Sequence, residues 1–190
     1  MRIIAGEYKG RIIEMPKGIR PTSDKVRESL FEILKNRVEG AVFLDLYSGS
    51  GAMGIEALSR GAKKVVFIDS SRNCISVLKK NLGMLGTPES SYDIYSKDCI
   101  DGIKTLQTGR GRLQSFPAGD LFGIVFFDPP YHTDLARNTL IGLSNCDILT
   151  PNALVIAEVF KKEGLPEESG IFKKIRSSKY GDTLLEFFRK

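Results

Sequence analysis

The tetrapeptide Asp128-Pro129-Pro130-Tyr131 follows an almost wholly apolar run at 121–127. Such a run predicts a buried strand, and ligands of open parallel sheets bind at the carboxyl ends of the strands. Because neither proline has an N–H group, the carbonyl oxygens of Asp128 and Pro129 can point outward. A base with an exocyclic amine could donate one N–H to the Asp128 carboxylate and the other to the Pro129 carbonyl, and a flipped base could stack on Tyr131. The pattern therefore predicts activation of an amine nitrogen for attack on an electrophile.

A glycine-rich stretch follows an earlier apolar run that ends at Leu46. The spacing Gly49-x-Gly51-x-x-Gly54 predicts a tight strand-to-helix turn that lets a nucleoside approach the backbone. Asp69 stands twenty residues beyond Gly49, where an acid binds ribose hydroxyls in such sites. The same spacing fits a dinucleotide, so a nicotinamide-dependent dehydrogenase that binds NADH is one alternative.

Two further acids favour S-adenosylmethionine over a dinucleotide. Asp45 lies four residues before Gly49, where its carboxylate could reach the cofactor's ammonium or a water beside it but would repel a pyrophosphate. Asp98 follows the third strand-like run and could accept from an adenine amine, with the backbone of Cys99 beside it. A helix N-cap is the alternative role for Asp98. The electrophile is then the methyl group on the cofactor's sulfonium, and no metal ion is needed.

The elements that must position these residues alternate along the chain. Strands are expected at 41–46, 64–69, 91–95, 121–128 and 153–159, with helices at 52–60, 72–85, 100–106 and 134–145. This alternation predicts a Rossmann-like α/β fold, with a mostly parallel sheet covered by helices on both faces. Two last runs, at 171–178 and 183–189, predict a C-terminal antiparallel hairpin. A glycine-rich stretch at 108–119, with Arg110 and Arg112, is predicted to be a flexible loop without an assigned role.

The N-terminal residues follow a different pattern. Runs at 2–5 and 11–15, joined through 6–10, predict a small β-hairpin, and 23–38 predicts an amphipathic helix. We therefore expect an N-terminal extension at 1–38 and a methyltransferase domain at 39–190.

Composition limits the classes of protein. The 190 residues carry a formal net charge of +5, with +3 over 1–40, +2 over 151–190 and near neutrality between. Basic ends around a neutral centre are compatible with a polyanionic partner.

The sequence also shows no targeting segment. No apolar stretch reaches the ~18 residues of a membrane span, and no secretory signal is visible. Three widely spaced cysteines and one histidine argue against a zinc site, and we expect a cytoplasmic protein.

Several motifs together resemble a known family. The pattern Asp45-x-x-x-Gly49-x-Gly51 and the tetrapeptide at 128–131 are shared with many amino-group methyltransferases. The N-terminal stretches Arg2-Ile3-Ile4-Ala5-Gly6 to Lys9-Gly10-Arg11 and Arg20-Pro21-Thr22-x-Asp24-x-Val26-Arg27-Glu28 are more selective. They resemble the RsmD-type methyltransferases, which modify the N2 amine of a guanine in 16S ribosomal RNA.

The resemblance implies a cofactor, a partner and site residues. S-adenosylmethionine would be bound by Asp45, Ser48, Gly49, Gly51, Asp69, Asp98 and Cys99, with Thr22 and Arg27 closing over it. RNA would be bound by Arg2, Lys9, Arg11 and Arg20. The substrate would be 16S rRNA of the small ribosomal subunit, and the enzyme would act as a monomer. Two departures stand out: Ser48 replaces a frequent alanine, and Asp69 is one methylene shorter than the usual glutamate.

Two other functions fit part of the pattern. A DNA methyltransferase acting on an adenine or cytosine amine would share the same chemistry, although 190 residues leave little room for a DNA-recognition domain. A catalytically silent RNA-binding assembly factor would keep the basic ends but would have no need for the tetrapeptide at 128–131.

Overall fold

A computed structural model describes residues 1–18, 22–108 and 121–190 of the chain. The described residues form one eight-stranded sheet in the order β3-β2-β1-β4-β5-β8-β7-β6. The strands are β1 Val42–Leu46, β2 Lys64–Asp69, β3 Tyr92–Ser96, β4 Phe122–Phe127, β5 Leu149–Phe160, β6 Glu168–Ser169, β7 Phe172–Tyr180 and β8 Thr183–Arg189. Arg20 and most of the loop predicted at 108–119 lie outside the described residues.

The sheet is parallel from β3 to β5 and antiparallel from β5 to β6. Strand β1 pairs with β2 on one side and with β4 on the other, so the strand order reverses between β1 and β4. Ligands of open α/β sheets bind at such a reversal, outside the carboxyl ends of the strands. The predicted parallel sheet with a C-terminal antiparallel hairpin is confirmed, and the two-residue strand β6 was not foreseen.

Helices cover both faces of this sheet, as predicted. They are α1 Asp24–Leu34, α2 Ala52–Ser59, α3 Arg72–Leu85, α4 Cys99–Thr108 and α5 Leu135–Ser144. Helices α1, α2 and α3 bury apolar side chains on one face, and α4 and α5 do so on the other. Helix α1 is shorter than expected because Lys35 leaves the right-handed helical region at φ 42°. None of the helices in the described part of the chain is long and apolar enough to cross a membrane.

The N-terminal segment, defined here as residues 1–15, makes an antiparallel turn with a single isolated bridge between Arg2 and Ile12. Four backbone hydrogen bonds of 2.8–2.9 Å between residues 1–3 and 10–13 accompany this bridge, so the predicted hairpin is present in a short form. Beyond these bonds, the amides of Ile4 and Ala5 donate to the Glu56 carboxylate at 2.9 and 3.0 Å. Helix α2 thus holds the hairpin in place. The boundary between 1–38 and 39–190 stays a prediction.

Close contact with α2 also dictates the residue type at the turn. Gly6 has φ 80°, and a Cβ there would lie 1.7 Å from the carbonyl oxygen of Ser59. Only glycine fits this approach of backbone to backbone. The amide of Glu7 donates to that same carbonyl at 2.7 Å, so the segment is held firmly against the helix.

Candidate active site

A cavity of about 520 Å³ lies at the carboxyl edge of the sheet, beside the reversal between β1 and β4. This volume is in the range of small-molecule and cofactor sites. Its wall combines residues from the segment before α1, the ends of β1, β2, β4 and β5, and the β7–β8 turn. The lining residues are Gly18, Thr22, Ser23, Val26, Tyr47, Asp69, Ser70, Ser71, Cys74, Asp128, Pro129, Pro130, Tyr131, Glu158, Tyr180 and Thr183.

Asp69 holds the glycine loop and faces this cavity. Its two carboxylate oxygens accept from the amides of Gly49 and Ser71, both at 2.8 Å. Each carboxylate oxygen has a second lone pair that can accept from a ribose hydroxyl. The loop itself requires glycine, because Gly51 has φ 81° and a Cβ there would lie 2.2 Å from Leu78. Of these three predicted cofactor-binding residues, Asp69 lines the cavity and Gly49 and Gly51 do not, and contact of all three with a cofactor stays a prediction.

Ser48 begins the loop with a buried hydroxyl group. Among the described residues, its Oγ has no hydrogen-bond partner. A buried polar atom without a partner is uncommon in native structures and requires an explanation. A polar ligand that extends along the loop would supply the missing hydrogen bond, so Ser48 fits a nucleoside cofactor at this place.

Asp45 lies beneath the loop and does not line the cavity. It is 1% exposed and accepts from the amide of Gly54 at 2.9 Å. Burial raises the pKa of Asp45 well above its usual value, against the Gly54 hydrogen bond, and the charges of Asp69 and Asp128 raise it further. A ligand that brings positive charge to this edge would favour the ionised form of Asp45.

Asp98 and Cys99 lie at the start of α4 and do not line the cavity. Asp98 caps the helix, since its Oδ1 accepts from the amide of Ile100 at 2.9 Å. The Cys99 sulfur accepts from the amide of Tyr47 at 3.2 Å, and burial raises the pKa of this thiol to about 12. The capping alternative for Asp98 is thus observed, and contact of either residue with an adenine ring stays a prediction.

The tetrapeptide at 128–131 lines the cavity with all four residues. Thr22 Oγ1 lies 3.4 Å from Asp128 Oδ2, at the long limit for a hydrogen bond. The Tyr131 hydroxyl lies 3.0 Å from Thr183 Oγ1, and its ring packs against Phe160 with centroids 5.8 Å apart. The Tyr131 ring is therefore held in the same cavity that Asp128 lines, an arrangement compatible with base stacking next to an amine acceptor.

Arg27 does not lie in this cavity, in contrast to the expectation that it closes over the cofactor. Its side chain is 0% exposed, and its guanidinium donates to the Arg2 carbonyl at 2.8 Å and to Asp24 at 2.7 Å. The same group lies 3.5 Å from the Glu56 carboxylate, which is also fully buried. Arg27 thus joins the N-terminal segment to α1 and α2, whereas Thr22 is the predicted closing residue that does line the cavity.

The basic residues predicted to bind RNA lie on the surface of the N-terminal segment. Arg2, Lys9 and Arg11 are exposed. The Arg2 guanidinium donates to the Gly10 carbonyl at 3.0 Å, and that of Arg11 donates to the Leu85 carbonyl at 2.9 Å. Arg11 thus also ties this segment to the end of α3. Arg20 cannot be placed, since it lies outside the described residues.

Sequence reasoning missed several residues of the cavity wall. Tyr180 and Thr183 flank the β7–β8 turn, which is far along the chain from the other residues of the cavity wall. The sequence therefore does not show that this turn lies beside the cavity. Glu158 had a visible signal: it is a single charged residue near the carboxyl end of an otherwise apolar strand. In a parallel sheet, this is a place where ligand-binding side chains occur.

A mostly parallel sheet that reverses between β1 and β4, with a glycine loop at one strand and the tetrapeptide at 128–131 at the other, is the arrangement of an α/β methyltransferase. The predicted fold class is therefore confirmed. The chain belongs to the family described as "Conserved hypothetical protein 95", whose model matches residues 1–189. The resemblance to RsmD-type enzymes is confirmed with it.

Individual relatives agree with this family. "Ribosomal RNA small subunit methyltransferase D" from Haemophilus influenzae is 36% identical, over 92% of this chain and 87% of the relative. The protein of the same name from Escherichia coli K12 is 35% identical, over 87% of this chain and 78% of the relative. The solved structure of yhhF from Escherichia coli matches with a TM-score of 0.83 at 30% identity, covering 100% of this chain and 97% of that one.

Proposed function

We propose that the chain is an S-adenosylmethionine-dependent methyltransferase that modifies the exocyclic N2 amine of a guanine in 16S rRNA of the small ribosomal subunit. The observation that carries the proposal is one cavity lined by both Asp69, which holds the glycine loop, and the tetrapeptide at 128–131. The names of the curated relatives support small-subunit ribosomal RNA as the substrate.

The residues of the loop fit the cofactor. Asp69 would accept from the ribose hydroxyls, and the buried Ser48 hydroxyl would gain a polar partner. The cofactor supplies a methyl group on a cationic sulfonium. Because a positive charge nearby would favour the ionised form of Asp45, whose pKa is raised in the free chain, a cationic ligand would be favoured at this edge.

Asp128, Pro129 and Tyr131 would act on the base. With the amine hydrogens bonded to the Asp128 carboxylate and the Pro129 carbonyl, the nitrogen lone pair is directed away from the ring and toward the methyl carbon. As the new C–N bond forms, the methyl–sulfur bond would break and leave its electron pair on a neutral thioether. Asp128 would stabilise the positive charge that develops on nitrogen, and the extra amine proton would then pass to solvent. Tyr131 fixes the plane of the base, which keeps the reacting atoms in line.

Labelled cofactor and small subunits from cells that lack this chain's gene provide the direct test. We expect label in N2-methylguanosine, identified by mass spectrometry of the nucleosides from a digest of the subunit RNA. Duplex DNA and large ribosomal subunits are tested alongside as comparison substrates. Label in a DNA adenine or cytosine, or no methylguanosine in the RNA, would contradict the proposal.

Asp45→Asn is expected to separate cofactor affinity from stability. The raised pKa means that the ionised Asp45 carboxylate disfavours folding above its unfolded pKa of about 3.9. The variant's free energy of unfolding in urea should therefore be equal to or higher than that of the wild type at pH 7. This difference between variant and wild type should become smaller as the pH falls toward 4. Because a bound sulfonium would favour an ionised Asp45 and asparagine cannot ionise, S-adenosylmethionine should bind the variant about tenfold more weakly by calorimetry, about 1.4 kcal/mol. A variant that binds the cofactor as tightly as the wild type would contradict this role.

Removing the positive charge of Lys9 should weaken RNA binding without changing cofactor binding. A lysine that neutralises one phosphate contributes about 0.7–0.9 to the slope of log affinity against log salt. Lys9→Gln should reduce the slope by that amount. Lys104→Gln is the matched control because α4 lies on the opposite face of the sheet. Equal slopes for both variants would limit the N-terminal segment to a structural role.

The proposal also includes the setting in which the enzyme acts. It would act in the cytoplasm, where small ribosomal subunits assemble, and as a monomer. Sedimentation of the purified chain with and without small subunits measures both its oligomeric state and its association with the particle.

A further inference from the structure

We infer that Glu158 is a specificity residue that accepts the N1–H of the target guanine and thereby excludes adenine and cytosine. This inference rests on the proposed function and extends it to the choice of base. Glu158 is 4% exposed, yet it lines the same cavity as Asp128 and Tyr131. The transfer chemistry described above does not use it.

The register of the sheet places Glu158 beside the catalytic aspartate. Strands β4 and β5 run parallel with Phe127 opposite Ala157. Asp128 directly follows β4 and Glu158 is the next residue of β5, so the two residues stand side by side at neighbouring strands, whose backbones lie about 4.8 Å apart. On its other side, Glu158 pairs with Leu185 of β8, which is apolar. The position therefore provides two acceptors side by side at one wall of the cavity.

Guanine matches two adjacent acceptors. Its Watson–Crick edge places the N1–H donor next to the N2 amine. In adenine and cytosine, the ring nitrogen next to the amine carries a lone pair instead. With Asp128 and the Pro129 carbonyl on the amine, Glu158 would accept the N1–H of guanine but would face a lone pair in either other base. A buried acceptor left without a donor gives strong discrimination.

A base analogue isolates this one contact. 2-Aminopurine keeps the amine at C2 but has a lone pair at N1, so it keeps the methyl acceptor and lacks the N1–H. Small subunits reconstituted with 16S rRNA carrying 2-aminopurine at the methylated position provide the substrate. For the wild-type chain, kcat/KM should be at least about 100-fold lower for 2-aminopurine than for guanine.

Glu158→Gln should reduce this preference at least about tenfold, because the glutamine amide can donate to the N1 lone pair. Glu186→Gln is the matched control, since Glu186 is a buried carboxylate of the same sheet that is paired with Lys174 at 2.9 Å and does not line the cavity. It should leave the preference unchanged. Calorimetry with S-adenosylmethionine shows that each variant is folded.

The outcomes separate this inference from the function on which it rests. A wild-type chain that modifies no guanine contradicts the proposed function. A wild-type chain that modifies guanine, with the same preference in Glu158→Gln, overturns the inference alone. If Glu158→Gln binds the cofactor more weakly but keeps the same base preference, the inference is also overturned, because the Glu158 carboxylate would then act on the positive charge of the cofactor. If Glu158→Gln does not fold, Glu158→Asp takes its place, and undiminished kcat/KM for guanine would overturn the inference.

Discussion

Asp128→Ala is expected to reduce the rate of methyl transfer by about 10³-fold, the loss seen when one preorganised group facing a developing charge is removed. The alanine variant loses both the acceptor for the amine N–H and the negative charge that faces the nitrogen. Affinity for S-adenosylmethionine should stay within about twofold, because groups that act mainly in the transition state contribute little to ground-state binding. Single-turnover kinetics with labelled cofactor measure the rate, and calorimetry measures the affinity.

Asp128→Asn divides these two contributions. The asparagine oxygen still accepts an N–H but carries no charge, so its rate should lie between those of the wild type and the alanine variant. Thr22→Val is the control for the neighbouring contact. Because Thr22 Oγ1 lies 3.4 Å from the Asp128 carboxylate, loss of this hydroxyl should lower the rate by less than about tenfold. Turnover retained by Asp128→Ala would show that the amine is activated by another group.

The sheet and its catalytic edge were predictable from local patterns. The apolar run that ends at Phe127 is the central strand β4, and the run that ends at Leu46 is its neighbour β1. Their carboxyl ends bring the tetrapeptide at 128–131 and the glycine loop to the same edge. These predictions succeeded because apolar periodicity and the handedness of parallel connections are local properties of the chain.

Contacts between distant residues were beyond the reach of the same patterns. The resemblance implied that Arg27 closes over the cofactor, and helical spacing left its side chain for water or ligand. The structure instead buries it against Glu56, which is twenty-nine residues away along the chain. Similarly, the N-terminal segment forms a short hairpin as its alternation predicts, but the amides of Ile4 and Ala5 donate to Glu56 of α2. No local pattern shows which of two possible acceptors a backbone amide will meet.

The surroundings of Glu56 lead to the second large expected effect. This carboxylate is 0% exposed and accepts from the amides of Ile4 and Ala5 and from Arg60 Nε at 2.9 Å. Arg27 lies 3.5 Å away. Four groups from three parts of the chain therefore converge on one side chain. In a buried network of this kind, loss of one charged partner leaves the others without compensation.

Glu56→Gln should lower the free energy of unfolding by about 3 kcal/mol, because the buried Arg27 then keeps only the exposed Asp24 as a carboxylate partner and the glutamine NH2 group faces other donors. Urea unfolding measures the loss. Glu32→Gln, an exposed carboxylate on α1, is the matched control and should change the free energy by less than about 0.5 kcal/mol. Hydrogen exchange should also rise at the amides of Ile4 and Ala5, while the amide of Gly54, bonded to Asp45, stays protected. Equal unfolding free energies for the two variants would contradict the structural role of this network.

The same network also supports the cavity wall, because Ser23 and Val26, beside Arg27, line the cavity. A loosened N-terminal segment should therefore also weaken cofactor binding. Glu56 would then affect catalysis through the position of the cavity wall, without touching the cofactor or the base.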